Sequence, residues 1–214
     1  MDNLPLKFVD IKQNSDEWFL ARAKLLTSSN MSKVMANHEK GGAFGEGAKK
    51  LAIKIALEQI SGKPVIDGFK NADTDRGHEF EPKAVAVYES RHFCKVEPGG
   101  FFCNDKLGSS PDGRVDSNLL EVKTREISAQ LANIKRGGME PVSKWQCISN
   151  LHFIGCEWLD FVTYNPAFPE PNNLFEFRLY SEDIKKEAEA MGSRVEQFFN
   201  YVEEVKALIL KPVI

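Results

Sequence analysis

Near the N-terminus, apolar positions recur at steps of three and four residues between polar caps. Ser15, followed by Asp16 and Glu17, has the form of a helix cap with acids in the first turn, and DEWFLARAKLL carries a short amphipathic helix behind it. A second helix start follows at Thr27-Ser28-Ser29. The glycine-rich stretch from Gly41 to Gly47 reads as a mobile loop. After it, Ala48 to Ile60 has helical periodicity, with Leu51, Ile55 and Leu57 or Ile60 on one side, and Gly62-Lys63-Pro64 closes the helix. Asn71 to Arg91 predicts a long helix: Phe80, Ala84, Val87 and Tyr88 step by three or four, and Glu79 and Glu81 ride on it.

From Phe93 the period shortens. Cys94-Lys95-Val96-Glu97, Phe101-Phe102-Cys103, Leu107-Gly108-Ser109-Ser110 and Leu119-Leu120-Glu121-Val122-Lys123 are short segments separated by glycine, asparagine and aspartate turns, which predicts strands of one sheet. Ile127 to Lys135 and Val142 to Phe153 look helical, with Gly137-Gly138 between them. Trp158 to Tyr164 and Phe175 to Leu179 alternate as strands, and Ser181 with Asp183 opens a last amphipathic helix to about Leu208. The order predicts an α/β fold, a central mixed β-sheet flanked by helices. The expected organisation is one domain over 1–214. N-terminal helices span about 15–91, the sheet and its helices about 93–180, and a C-terminal helix about 181–208.

Composition narrows the classes. No apolar stretch approaches the ~18 residues of a membrane span, and the N-terminus lacks the basic start and apolar run of a secretory signal, so the expectation is a cytoplasmic chain without a membrane partner. Cys94, Cys103, Cys147 and Cys156 form no C-x-x-C unit, and they read as reduced, mostly core thiols. A formal charge of −3 argues against coating nucleic acid by bulk attraction. The charge is unevenly spread: Arg22 to Lys63 holds eight bases against three acids, and Glu157 to Lys206 holds eleven acids against five bases. That is either ordinary solvated surface or one anion-facing side on an acidic body.

The sharpest local pattern is Ser110-Pro111-Asp112-Gly113-Arg114-Val115 and then, with eight residues between Asp112 and the glutamate, Glu121-Val122-Lys123. Strand side chains alternate, so Glu121 and Lys123 share a face and Val122 points to the opposite one. With Asp112 at the turn of the same hairpin, two carboxylates and one ammonium reach one place. Paired carboxylates and an adjacent carbonyl suit a hard cation such as Mg²⁺. A nearby ammonium is of little use to a structural metal site, whereas a phosphodiesterase uses one to orient water and offset charge on a pentacovalent phosphate. The plainer reading is a surface turn followed by a salt-bridged strand.

The elements EWFLARAKLLTSS, RGHEFEP, LGSSPDGRV, LLEVK, KWQ and FVTYNP stand in that order from Glu17 to Pro166. Together they resemble the phage lambda-type exonuclease family, also called YqaJ-like or alkaline exonucleases, within the PD-(D/E)xK nuclease superfamily. The resemblance implies a restriction-endonuclease-like core and a metal-dependent 5′-to-3′ exonuclease. Such an enzyme digests one strand of linear double-stranded DNA from a 5′-phosphorylated end and leaves a 3′ tail.

On the matching positions, Asp112 and Glu121 resemble the metal-binding carboxylates, the Val122 carbonyl a backbone ligand, and Lys123 the residue that positions or activates the attacking water. Glu81 resembles the additional acid near a second metal, and Gln146 the glutamine after the sheet that holds Lys123 or a water. Arg22 matches the arginine that grips the terminal 5′ phosphate, with Ser29 as the nearby hydroxyl donor. The resemblance implies two Mg²⁺ ions, with Mn²⁺ as a substitute, and a homotrimeric ring through which DNA threads. It also implies a single-strand annealing recombinase as partner, and a phage or prophage setting in a bacterial cell.

Plainer roles stand beside these. Arg22 could pair with Asp16 or Glu17, and Ser28 or Thr27 could replace Ser29 as donor. Glu79 lies about 200° from Glu81 around the helix. His78 reads as a surface residue and Trp145 and Trp158 as core, while Arg125 and Lys135 are candidates for DNA backbone contact. Competing functions are a PD-(D/E)xK endonuclease or junction resolvase, a Cas4-like iron–sulfur nuclease, and a DNA-end-binding domain without catalysis.

Overall fold

A computed structural model describes residues 6–65 and 72–212, the side chains of residues 72–76 and 78 excepted. Its elements are β1 (Lys7–Val9), α1 (Asp16–Arg22), β2 (Leu26–Thr27), α2 (Met31–Met35), α3 (Glu46–Ser61), α4 (Ala72–His92), β3 (Glu97–Pro98), β4 (Phe101–Cys103) and β5 (Leu107–Ser109). They continue with β6 (Gly113–Val115), β7 (Asn118–Thr124), α5 (Ile127–Arg136), α6 (Pro141–Ile154), β8 (Trp158–Tyr164), β9 (Leu174–Tyr180) and α7 (Lys185–Ile209). Single 3₁₀ turns precede α2, α3 and α7. The architecture is the expected α/β arrangement of mixed sheet and flanking helices.

The strands do not form one sheet. A five-stranded mixed sheet runs β3-β6-β7-β8-β9, and a second, four-stranded sheet runs β1-β4-β5-β2. The chain leaves the second sheet at Ser110-Pro111, where proline has no N–H to continue a ladder. The crossing is tight: a Cβ added at Gly99 would lie 1.7 Å from the Pro111 carbonyl oxygen, and Gly100 turns with φ +71° beside the Phe8 ring. Neither β1 nor β2 stood out in the hydrophobic pattern. β2 replaces the end of the expected first helix, because α1 stops at Arg22, Lys24 adopts φ 71°, and Leu26–Thr27 pair in parallel with Leu107–Gly108.

The Ser15 cap is present, its hydroxyl accepting from the Trp18 N–H at 3.2 Å. Gly62 ends α3 at φ 73°, where a left-handed residue is needed. β7 is the centre of the large sheet, antiparallel to β6 and parallel to β8. Its alternation sorts two cores: Leu119 joins Leu159, Phe161 and the α6 residues Cys147, Ile148 and Leu151, while Leu120 and Val122 join Val162 and the α4 residues Ala84 and Tyr88. α6 and α4 therefore cover opposite faces of the sheet. Of the cysteines only Cys147 is fully buried; the other three are half-buried, and all are unpaired. Trp145 and Trp158 pack against the two cores.

Candidate active site

Asp112 follows the Pro111 crossing, and its Oδ2 accepts the Val122 N–H at 2.7 Å, which ties the turn to the middle of β7. Val122 turns its side chain to the α4 core, so Glu121 and Lys123 face α6. Glu121 is fully buried. Its Oε1 accepts from Lys123 Nζ at 2.5 Å and from Gln146 Nε2 at 2.5 Å, and its Oε2 accepts from Asn150 Nδ2 at 2.9 Å. Gln146 and Asn150 stand one turn apart on α6, which puts both amides over the same carboxylate.

Glu81 reaches the site from α4. It shares a cleft of about 270 Å³ with Asp112, Gln146, Arg22, Ser29 and Ser110. Burial pushes the Glu121 carboxyl well above the usual carboxylate range, and the Asp112 charge pushes it the same way. Glu81 is raised for the same two reasons. Burial pulls Lys123 down, but the Glu121 and Asp112 charges outweigh it and hold the ammonium above its ordinary value. Fully ionised, these three carboxylates would outnumber the one ammonium by two charges, which is why the two glutamates keep their protons to higher pH. This donor set, hard oxygens with a charge deficit, fits a divalent cation that keeps several waters. Among the described residues no three acidic, histidine or cysteine side chains converge closely enough to hold a metal ion by themselves, so a cation here would draw the rest of its shell from backbone carbonyl and water.

The same cleft carries a guanidinium. Ser110 Oγ accepts from Arg22 Nη1 at 3.1 Å and from Trp18 Nε1 at 3.0 Å, and Arg22 Nη2 donates to Ser29 Oγ at 3.2 Å. The guanidinium stacks 4.0 Å from the Trp18 ring centre. Among the described residues it bridges hydroxyls and no carboxylate, so Asp16 and Glu17 on its own helix leave it uncompensated. Burial alone lowers its pKa.

The structure thus lines one cleft with Asp112, Gln146, Glu81, Arg22 and Ser29, and sets the buried Glu121 behind it, hydrogen-bonded to Gln146 and Lys123. Glu79 points away and pairs with Lys83 at 3.5 Å. Arg125 is committed to Glu140, its Nε donating to Oε2 at 2.9 Å. Lys135 is exposed, and the side chain of His78 lies outside the described residues. Ser110, Trp18 and Asn150 are functional candidates that spacing did not single out. Ser110 sits immediately before the Pro-Asp pair, and Asn150 four residues after Gln146.

Comparison with known proteins bears on the fold and the family. The crystal structure of LHK-Exo in complex with dAMP superposes with a TM-score of 0.77 at 26% identity, covering 91% of this chain and 96% of that one. The alkaline exonuclease LHK-Exo from Laribacter hongkongensis gives a TM-score of 0.76 at 26% identity over the same shares. A phage-related exonuclease from Haemophilus somnus 129PT shares the fold at TM-score 0.59 and 14% identity, over 86% of this chain and 96% of its own. No curated protein matches the sequence. The sequence model of the YqaJ-like viral recombinase domain covers residues 17–157, from the α1 helix that carries Arg22, through the carboxylate hairpin, to the start of β8, and the chain belongs to that family.

Proposed function

We propose that this protein is a divalent-metal-dependent 5′-to-3′ exonuclease that digests one strand of linear double-stranded DNA from a 5′-phosphorylated end. The observation that carries the reading is the pairing of two unlike groups in one cleft. Two carboxylates, Asp112 and Glu81, line the same cleft as a guanidinium that, among the described residues, is held by hydroxyls and an indole. Asp112, Glu121, Glu81 and the Val122 carbonyl would hold the cations, Mg²⁺ or Mn²⁺. Bound there, such ions supply phosphate charge neutralisation and a more acidic water.

The chain's own groups do the rest. Arg22, Ser29 and Ser110 hold the terminal phosphate, the fork of the guanidinium matching its oxygens. Lys123 positions the attacking water and offers an ammonium to the charge that develops on phosphorus. Gln146 restrains Glu121 and, through that carboxylate, Lys123. The product is a 3′ single strand, suited to a strand-annealing recombinase. A homotrimeric ring around the duplex explains how a chain of net charge −3 stays on DNA. The setting is phage-type recombination in the cytoplasm of a bacterial cell.

The test is digestion of linear duplexes bearing 5′-phosphate or 5′-hydroxyl ends, beside covalently closed circles, with and without EDTA and with Lys123→Ala. Metal-dependent loss of the phosphorylated strand from its 5′ end, with circles intact and the variant inactive, supports the exonuclease. Cutting of closed circles replaces it with an endonuclease or junction resolvase. DNA-end binding without metal-dependent cleavage leaves a non-catalytic binding domain.

A further inference from the structure

Glu121 carries an unusual load of donors for a carboxylate meant to hold a cation. A carboxylate offers about four lone-pair positions, two on each oxygen. Lys123 and Gln146 fill both on Oε1, while Asn150 takes one on Oε2. One acceptor position on Oε2 is left.

The orientation of Asn150 follows from its partners. An ionised carboxylate only accepts, so the amide turns its NH₂ toward Glu121 and its carbonyl away. That carbonyl lies 2.7 Å from Ser109 Oγ, so the serine hydroxyl donates. Ser109 and Asn150 are both fully buried, which removes water as an alternative partner. A relay of fixed direction therefore runs from Ser109 at the end of β5, through Asn150 on α6, to Glu121 on β7. It joins the small sheet to the large one at the carboxylate.

We infer that Asn150, oriented by Ser109, is a positioning residue that determines which oxygen of Glu121 is presented to a divalent cation. The inference rests on the reading of Glu121 as a metal-holding carboxylate. Two amides one helical turn apart grip opposite oxygens of one carboxyl group, so the group cannot rotate about its last bond. Removing Asn150 frees that rotation and leaves Oε2 buried without its donor. A purely structural Asn150 would change the melting temperature alone, whereas a positioning residue changes cation affinity in protein that is still folded.

The experiment is calorimetric titration of the full-length protein with MnCl₂, on wild type, Asn150→Ala and Ser109→Ala. Folding is checked by circular dichroism, and binding of a 5′-phosphorylated duplex end is measured in EDTA. Asn150→Ala is expected to weaken Mn²⁺ binding by about 10- to 100-fold, the usual effect of removing a hydrogen-bond partner of a metal ligand. The Mg²⁺ concentration for half-maximal digestion should rise in parallel, while end binding in EDTA stays at the wild-type value. Ser109→Ala should shift the same quantities in the same direction by less, and it decides the matter where Asn150→Ala does not fold. Wild-type Mn²⁺ affinity in a folded variant overturns the inference, even where activity falls. A wild-type protein that binds no Mn²⁺ and digests no linear duplex removes the nuclease reading as well, so the two failures are distinct.

Discussion

Arg22 is a cation in search of an anion: it is half-buried, stacked on Trp18 and hydrogen-bonded to two neutral hydroxyls. A charge-assisted bond is worth about 1.5–3 kcal/mol, which corresponds to roughly a 10- to 100-fold preference for a phosphorylated end. Arg22→Ala should erase that preference in competition between 5′-phosphate and 5′-hydroxyl duplexes. Arg22→Lys should restore only part of it, because an ammonium lacks the fork. The carboxylates give a second expectation. Glu121 and Glu81 are raised when folded, so the unfolded chain releases their protons at lower pH than the folded chain does. For a raised acid, stability is present at low pH and lost as pH rises through the folded value. Chelated protein should therefore melt several degrees lower at pH 8.5 than at pH 5.5, and millimolar Mg²⁺ should reverse the difference at pH 8.5. A melting temperature unchanged by pH in EDTA would mean that the cluster carries no excess charge. Asp112, Glu121 and Lys123 were legible in the sequence because strand alternation dictates which of them share a face. Ser110 and Asn150 were not, since serine and asparagine carry no charge pattern, and their roles depend on a sheet crossing and a helix face that only the fold brings together.

α4 delivers Glu81, and its far half is what holds it in place. Tyr88 donates to Asp160 Oδ2 at 2.5 Å, and Arg178 grips the same carboxylate through Nε and Nη2 at 2.7 Å each while lying 3.8 Å from the Trp158 ring centre. Arg91 and His92 both reach Glu176 on β9. Tyr88→Phe should cost about 1 kcal/mol, because Arg178 still satisfies Asp160. Asp160→Ala should cost more, about 3 kcal/mol, since it strips both partners of a buried acceptor. Urea midpoints measured on the two variants check the order. Elements with a strong period were read from sequence nearly to the residue, as β8 and α4 illustrate. The division into two sheets was not, because it turns on the close approach of Gly99 to the Pro111 backbone, a contact between segments twelve positions apart. Gly99→Ala should be far more damaging than an ordinary surface substitution. The added carbon meets main chain that cannot move without displacing Asp112, so both thermal stability and digestion should fall.

The whole chain is acidic, yet its bases gather between Arg22 and Lys63 and its acids between Glu157 and Lys206. A protein that clung to DNA by surface charge alone would lose its grip steeply as salt rose, roughly in proportion to the phosphates it neutralises. Enclosure separates two steps that bulk attraction would keep together. Finding and gripping a DNA end depends on the Arg22 pocket and the basic segment, and it should weaken with salt. Under the proposed homotrimeric ring, continued digestion would depend on enclosure and should not. The check is a salt jump: the enzyme is bound to phosphorylated ends at low salt, then digestion is started by adding Mg²⁺ together with 0.3 M NaCl and excess unlabelled duplex. Enclosure predicts long tracts on the strands already engaged and almost no new initiation. If tract length instead collapses in step with initiation, retention is electrostatic. The basic segment, rather than assembly, would then be what keeps the enzyme on its track.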